Sequence, residues 1–247
     1  MKIEPTAMTL SSQPLEPTRI IAVRHGQTTW NQENRIQGHL NIGLNGRGQW
    51  QAHQLADALV DEAIDVIYSS DLLRAADTAA AIGASTGLKT FFEPGLRERC
   101  FGIFEGKTFG EIETLWSAQA QRMRQREPDF APDGGGESLV VLRARIASVV
   151  IRLAARHPGA LVLLVTHGGV LDALYRMATG LPIQAPRSWA LENAAINRLL
   201  WTPQGLSLVG WADTRHLENL DSTPMNLLQP EMPPAAFSGL YANTLTA

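Results

Sequence analysis

Cysteine is nearly absent from this sequence: Cys100 is the one thiol in 247 residues. An internal disulfide is therefore impossible, and a structural zinc site built on thiolates is excluded. Beside Phe101, Cys100 is expected to act as a small buried hydrophobe. Strong charge is also missing. The net charge of -3 argues against a chain whose main business is gripping nucleic-acid phosphates, although local arginines can still serve a small anion. No apolar run reaches the roughly 18 residues of a membrane span. Met1 to Thr18 has neither a basic start nor a continuous apolar core, so no secretory leader is expected and the cytoplasm is the expected location. What remains is 45% apolar and 18% charged residues, the balance of a globular enzyme with a sizeable core.

Residues 1–18 carry three prolines and little periodicity and read as a loose leader. Residues 221–247, with Pro224, Pro230, Pro233 and Pro234, read as a loop-like tail. Between them, 19–220 is one continuous pattern of strands alternating with helices. Strands are expected at Ile20–Val23, Asp65–Ser70, Leu88–Phe92 and Leu161–Val165. Helices are expected from Gly46 to Leu59 behind an Asn45 cap, from an Asp71 cap to Ala84, and from Phe109 to Arg126. Two more are expected from Ser138 to Arg156 and from Gly169 to Ala178. Ile196–Trp201 and Leu206–Trp211 flank Thr202-Pro203-Gln204-Gly205 as a closing hairpin. This alternation predicts an α/β fold, with a mostly parallel central sheet flanked by helices on both faces.

Arg24-His25-Gly26 ends the first strand, and Thr166-His167-Gly168-Gly169 ends another in the same way. The carboxyl ends of parallel strands are where such sheets bind ligands. Arg74 follows the strand around Val66-Ile67-Tyr68. Arginine presents a planar fork of donors that matches phosphate oxygens, and the Gly168 and Gly169 amides at a helix start favour an anion. Three rival motifs fit less well. Gly102-Ile103-Phe104-Glu105-Gly106-Lys107-Thr108 misses the Walker spacing by one residue and has no leading strand. Gly83-Ala84-Ser85-Thr86-Gly87 matches a serine-hydrolase string but lies between a helix and a strand, in the wrong order. A metal set of His25, His167 and Glu98 would place a dication beside Arg24 and Arg74, at electrostatic cost.

Arg24-His25-Gly26-Gln27-Thr28-Thr29-Trp30-Asn31 resembles the RHGxTxWN signature of the histidine phosphatase superfamily. Arg35-Ile36-Gln37-Gly38, Ser69-Ser70-Asp71-Leu72-Leu73-Arg74-Ala75, Leu96-Arg97-Glu98 and Thr166-His167-Gly168-Gly169 follow in the family's order. The resemblance implies a three-layer, phosphoglycerate mutase-like sandwich. By it, His25 is the nucleophile and forms a phosphohistidine. Arg24, Arg74 and His167 hold the phosphoryl oxygens, and Glu98 is the general acid and base. Asn31, Gln37 and Gly168 line the phosphate pocket. Glu98 would need a raised pKa, for which Phe101 and Phe104 are the candidate apolar neighbours; its alternative role is a salt bridge with Arg97 or Arg99. His39 is a loop residue near the pocket, while His53, His157 and His216 carry no expected role.

Phe104-Glu105-Gly106 is similar to the G-x-W/F-E-G segment of the family's phosphatases, and Gly135-Gly136-Glu137-Ser138 to their P-G-G-E-S turn. The long insertion of the mutases is missing between Glu98 and His167. The expected activity is thus metal-independent hydrolysis of a small-molecule phosphomonoester, without cofactor, nucleic acid or membrane as partner; a homodimer is compatible with the sequence. The alternatives are a cofactor-dependent phosphoglycerate mutase and a catalytically weak regulatory member. Trp30, Phe101, Phe104 and Trp116 suggest a partly apolar mouth suited to apolar or aromatic leaving groups.

Overall fold

The computed structural model describes residues 16–218. Most of the expected leader and all of the expected tail lie outside the described residues, and Thr18 already belongs to the first strand. Strands β1 (Thr18–Arg24), β2 (Val66–Ser69), β3 (Thr90–Phe92), β4 (Leu161–Thr166), β5 (Ile196–Thr202) and β6 (Gly205–Asp213) form one mixed sheet. Its order is β3-β2-β4-β1-β5-β6. The first four strands in that order run parallel, while β5 and β6 are the antiparallel hairpin read from sequence.

Among the described residues, seven α-helices accompany the sheet: α1 (Thr29–Gln32), α2 (Gly46–Leu59), α3 (Leu73–Thr86), α4 (Phe109–Leu115), α5 (Ser117–Arg124), α6 (Leu139–Arg156) and α7 (Gly168–Thr179). The core has two halves because side chains alternate across a strand. Ile20 and Ala22 of β1 join Val162 and Leu164 of β4 against α6 and α7, through Ile146, Leu153, Leu171 and Leu174. Ile21, Val23, Leu163 and Val165 face the other way, onto Leu55 and Leu59 of α2 and Ala79 and Ile82 of α3. Every residue of β4 is buried, as expected of a central parallel strand. Each fully buried leucine or isoleucine here contributes about 1.5–3 kcal/mol.

Several boundaries differ from the sequence reading, each for a local reason. Asp71 does not cap α3. The cap position is Leu72, with no side-chain bond, because the Asp71 carboxylate is engaged by Arg97 from the segment after β3. The single helix expected over 109–126 breaks at Trp116, whose ψ of 56° leaves the helical region. Trp116 instead packs its indole against Phe104 in a satellite core with Ile36, Ile112 and Phe130. β3 begins at Thr90 rather than Leu88, after Gly87 closes α3 in a left-handed conformation. β1 runs through Arg24 and β4 through Thr166, so the ladder carries both motifs to the sheet edge.

Candidate functional site

Because β1, β4 and β2 are adjacent and parallel, three candidate segments emerge side by side. The ladder continues one residue beyond the strands: the His25 amide donates to Thr166 O and the Ser70 amide to Val165 O, both at 3.0 Å. The His25 and His167 rings consequently lie 5.1 Å apart between centroids. Both are buried, at 2% and 0% exposure.

His25 Nδ1 lies 2.7 Å from Gly26 O. A carbonyl only accepts, so Nδ1 carries the proton and Nε2 keeps its lone pair. Burial pushes the His25 pKa well below the ordinary histidine range, and the Arg74 and Arg24 cations push it further. The ring is neutral at physiological pH. His167 is depressed in the same way, by burial first and then by Arg74 and His25. Its Nε2 is hydrogen-bonded to Ser70 Oγ at 2.8 Å, and its Nδ1 is unpartnered.

Arg74 enters from the first turn of α3. Its two terminal nitrogens donate to Gly38 O and Leu40 O at 2.8 and 2.9 Å, clasping the loop that carries Gln37. Arg24 donates through Nη1 to Leu191 O. Burial lowers both guanidinium pKa values, Arg74 to about 10, so both remain cations at neutral pH. Arg24 Nε, Arg74 Nε and Gln37 Oε1 are buried without partners. Buried polar groups normally find partners; a run of orphans around a neutral histidine is the signature of a site that completes its bonds with a ligand.

Glu98 reaches the cleft after β3 and a short 3-10 turn at Pro94–Leu96. Both carboxylate oxygens accept from the Gly169 amide at 3.0 Å, and Oε1 also accepts from the Arg99 amide at 2.7 Å. The alternative role, a salt bridge with Arg97 or Arg99, is not what the structure shows. Arg97 binds Asp71, and the Arg99 side chain donates to the Glu137 and Phe130 carbonyls. The expected wall of Phe104 is absent too, since Phe104 is buried in the satellite core. The Gly169 amide, expected to face the phosphate, is thus held by Glu98, although both Gly168 and Gly169 line the cleft. A Cβ at Gly169 would collide with Glu98 Oε1, which explains glycine there.

Asn31 and Gln37 both line the cleft. Asn31 is also committed to a capping box, its Oδ1 accepting from the Thr28 amide and hydroxyl at 3.0 Å. His39 does not line the cleft: its ring Nε2–H donates to Glu98 O at 2.7 Å, holding the backbone of the candidate acid. Cys100 is half-buried rather than a core residue. His53, His157 and His216 bond to Gln49 O, the Tyr68 hydroxyl and Ala194 O, away from this cluster.

The cleft has a volume of about 690 Å³. Its mouth includes Trp30 and Phe101 as expected, but Phe104 and Trp116 lie in the satellite core; Phe109 and Trp189 take their place. Among the described residues, no group of three or more His, Cys, Asp or Glu is placed to hold a metal. The profile of the histidine phosphatase superfamily, branch 1, matches residues 20–214. The chain belongs to that superfamily.

Within it, the chain is 37% identical over 207 residues to a metal-independent phosphoserine phosphatase of Arabidopsis thaliana, covering 83% of this chain and 85% of that protein. It is 35% identical over 210 residues to the phosphoglycerate mutase-like protein 4 of the same plant, covering 84% and 90%. The solved structure of a mycobacterial glucosyl-3-phosphoglycerate phosphatase superposes with a TM-score of 0.71 at 32% identity, covering 81% of this chain and all of that one.

Several contributors were not visible in the motifs of this superfamily member. Asn193 Nδ2 donates to His25 O at 2.9 Å, and the Ala194 amide to Arg24 O at 3.0 Å, so the loop before β5 fastens the first motif from behind. Glu105 Oε1 accepts from the His39 and Phe101 amides at 3.0 and 2.9 Å, joining the two loops of the mouth. Thr78 Oγ1 accepts from the Gly26 amide at 3.0 Å. Only the phosphatase-like Phe104-Glu105-Gly106 segment hinted at one of these roles. Among the described residues, no helix is long and apolar enough to cross a membrane.

Proposed function

We propose that this chain hydrolyses small phosphomonoesters through a phosphohistidine formed on His25. The observation that carries the reading is the His25 Nδ1–H bond to Gly26 O, which leaves Nε2 a fixed, neutral lone pair among Arg24, Arg74 and His167. Nε2 attacks phosphorus as the ester P–O bond breaks. Arg24, Arg74 and His167 hold the equatorial oxygens, with Gln37, Asn31 and Gly168 closing the same pocket. Glu98 gives its proton to the departing alkoxide. Water then attacks the phosphohistidine, Glu98 takes up a proton, and the P–N bond breaks to release phosphate and restore neutral His25. Two-step covalent transfer needs only one acid–base group, and Glu98 at the first turn of α7 fills that role.

The relatives named above, a phosphoserine phosphatase and a glucosyl-3-phosphoglycerate phosphatase, support a phosphorylated metabolite as substrate and a reaction without metal. The lone Cys100 supports a reducing compartment, and we assign the chain to the cytoplasm; fractionation of cells expressing the full chain tests that assignment. Phosphate release from an ester panel in the presence of EDTA tests the reaction. Acid quench with a labelled ester should trap an acid-labile phosphoprotein in the native chain and none in His25→Ala. Isomerisation of phosphoglycerate on adding 2,3-bisphosphoglycerate, in place of release, would turn the reading to a mutase.

A further inference from the structure

One turn of α7 beyond the glycines stands a second group of unpartnered atoms. Asp172 Oδ2 accepts from Arg126 Nη2 at 2.7 Å and from Arg176 Nε at 2.9 Å, while Oδ1 has no partner. The Arg176 guanidinium lies 4.7 Å from the Trp189 ring, which also stacks on Tyr175 at 4.1 Å, and Trp189 Nε1 has no partner. Asp172 and Trp189 are 7% and 9% exposed, and both line the cleft that contains His25 and Glu98. One guanidinium, Arg176, touches both residues and has no partner at its own Nη2, so one orphan acceptor and two orphan donors sit in one neighbourhood.

We infer that Asp172 and Trp189 form a leaving-group subsite that selects a hydroxyl-bearing, polyol-like alcohol; this rests on the phosphatase reading above. A hydroxyl satisfies the acceptor and a donor at once, donating to Asp172 Oδ1 and accepting from Trp189 Nε1 or Arg176 Nη2. A carboxylate only accepts, so it would leave Asp172 Oδ1 unmet and set two like charges side by side. An ammonium only donates, and it would meet two guanidinium groups already in bonding contact with Asp172. The aromatic face of Trp189 is covered by Tyr175 and Arg176, so its edge is what it offers. Glu98, the proposed proton donor to the leaving oxygen, sits on the Gly169 amide. Asp172 follows three residues later along α7, about 5 Å away along the axis. That is the reach of a hydroxyl two to four carbons from the ester oxygen.

A site built to hydrogen-bond a substrate hydroxyl discriminates strongly against the analogue lacking it. The test compares a hexitol 6-phosphate with hexyl phosphate, esters that differ in hydroxyls but share chain length. The native chain should favour the hexitol ester in kcat/KM by at least about tenfold, and Trp189→Phe should reduce that ratio by about tenfold. Asp172→Asn should reduce it as well, because the amide oxygen is drawn to the two guanidiniums. Trp189→Phe also removes a buried unsatisfied donor, so its Tm should not fall below that of the native chain. Equal kcat/KM for the two esters, or a preference that survives both substitutions, overturns the subsite. Failure to turn over either ester overturns the phosphatase reading instead. In that case calorimetric binding of the same two esters decides the subsite: a preference for the hexitol ester that Trp189→Phe removes supports it, and equal binding ends it.

Discussion

The inner and outer halves of the cleft are built on opposite electrostatic plans. At the sheet edge, Arg74 is buried and Arg24 half-buried beside two neutral histidines, and their Nε atoms lack partners. At the mouth, Arg35 is paired with Glu33 and Glu111, Arg124 with Glu113, and Arg126 with Asp172. The inner half therefore carries two cations that make no ion pair among the described residues, a cost an arriving anion offsets. The pairs of Arg35 and Arg124 are the more exposed ones, so those residues can change with little effect on the fold. Chemistry and specificity are separable in such a design: the first is held by strand ends, the second by loops and by one face of α7.

Substitutions test that separation in descending order of effect. His25→Ala should remove turnover on every ester, by at least about 10³-fold, with an unchanged far-UV spectrum; substantial residual hydrolysis would take His25 out of the nucleophile role. Gly169→Ala displaces the Glu98 carboxylate from its seat, and a displacement of about 1 Å is expected to lower kcat about 100-fold. A kcat within threefold of the native value would show that Glu98 does not act from that position. Arg126→Ala, in the outer half, should alter the ranking of esters through KM, by about tenfold or less, and leave phosphohistidine trapping intact.

The inner half should also report itself in acid. His25 and His167 bind protons in the unfolded chain near pH 6.5 but only well below that when folded. The unfolded state therefore holds more protons in that window, and the two groups withdraw stability as pH falls below about 6.5, by up to ~2.7 kcal/mol per pH unit. Above pH 7 they contribute no slope. Denaturant titrations between pH 5 and 8 measure this, and His167→Gln should flatten the acid limb. A ligand shift reads the same half of the cleft: inorganic phosphate at about 100 times its Kd should stabilise the fold by about 2.7 kcal/mol, and His25→Ala should still show most of it.

How much of this was legible in the sequence follows the same division. Arg24, His25, Arg74, Glu98 and His167 each lie within a few residues of a strand end or helix start, where local patterning fixes position; the structure brings the first four to line one cleft, with His167 buried against His25. Asp172, Trp189 and Arg126 gave no sequence signal, because their meeting depends on how α7, the segment after α5 and the loop before β5 pack together. The Asp71 cap and the unbroken 109–126 helix were misread for a related reason. A cap is chosen by local propensity, yet here Arg97, 26 residues away, outbids the helix for Asp71. Trp116 similarly gives up helical geometry for a place against Phe104. Glu98 was expected among aromatics and found on backbone amides, a contact that depends on the start of α7 lying beside the turn after β3.

The contact between Gly26 and Gly48 has a consequence for how the nucleophile moves. A Cβ on either glycine would overlap the backbone of the facing segment, so the chain after His25 and the first turn of α2 meet main chain to main chain. No side chain lies between them to change rotamer and absorb a displacement. A shift of α2 would therefore press directly on the backbone beside His25, so the seating of Leu55 and Leu59 beneath that helix helps set where the reacting nitrogen stands.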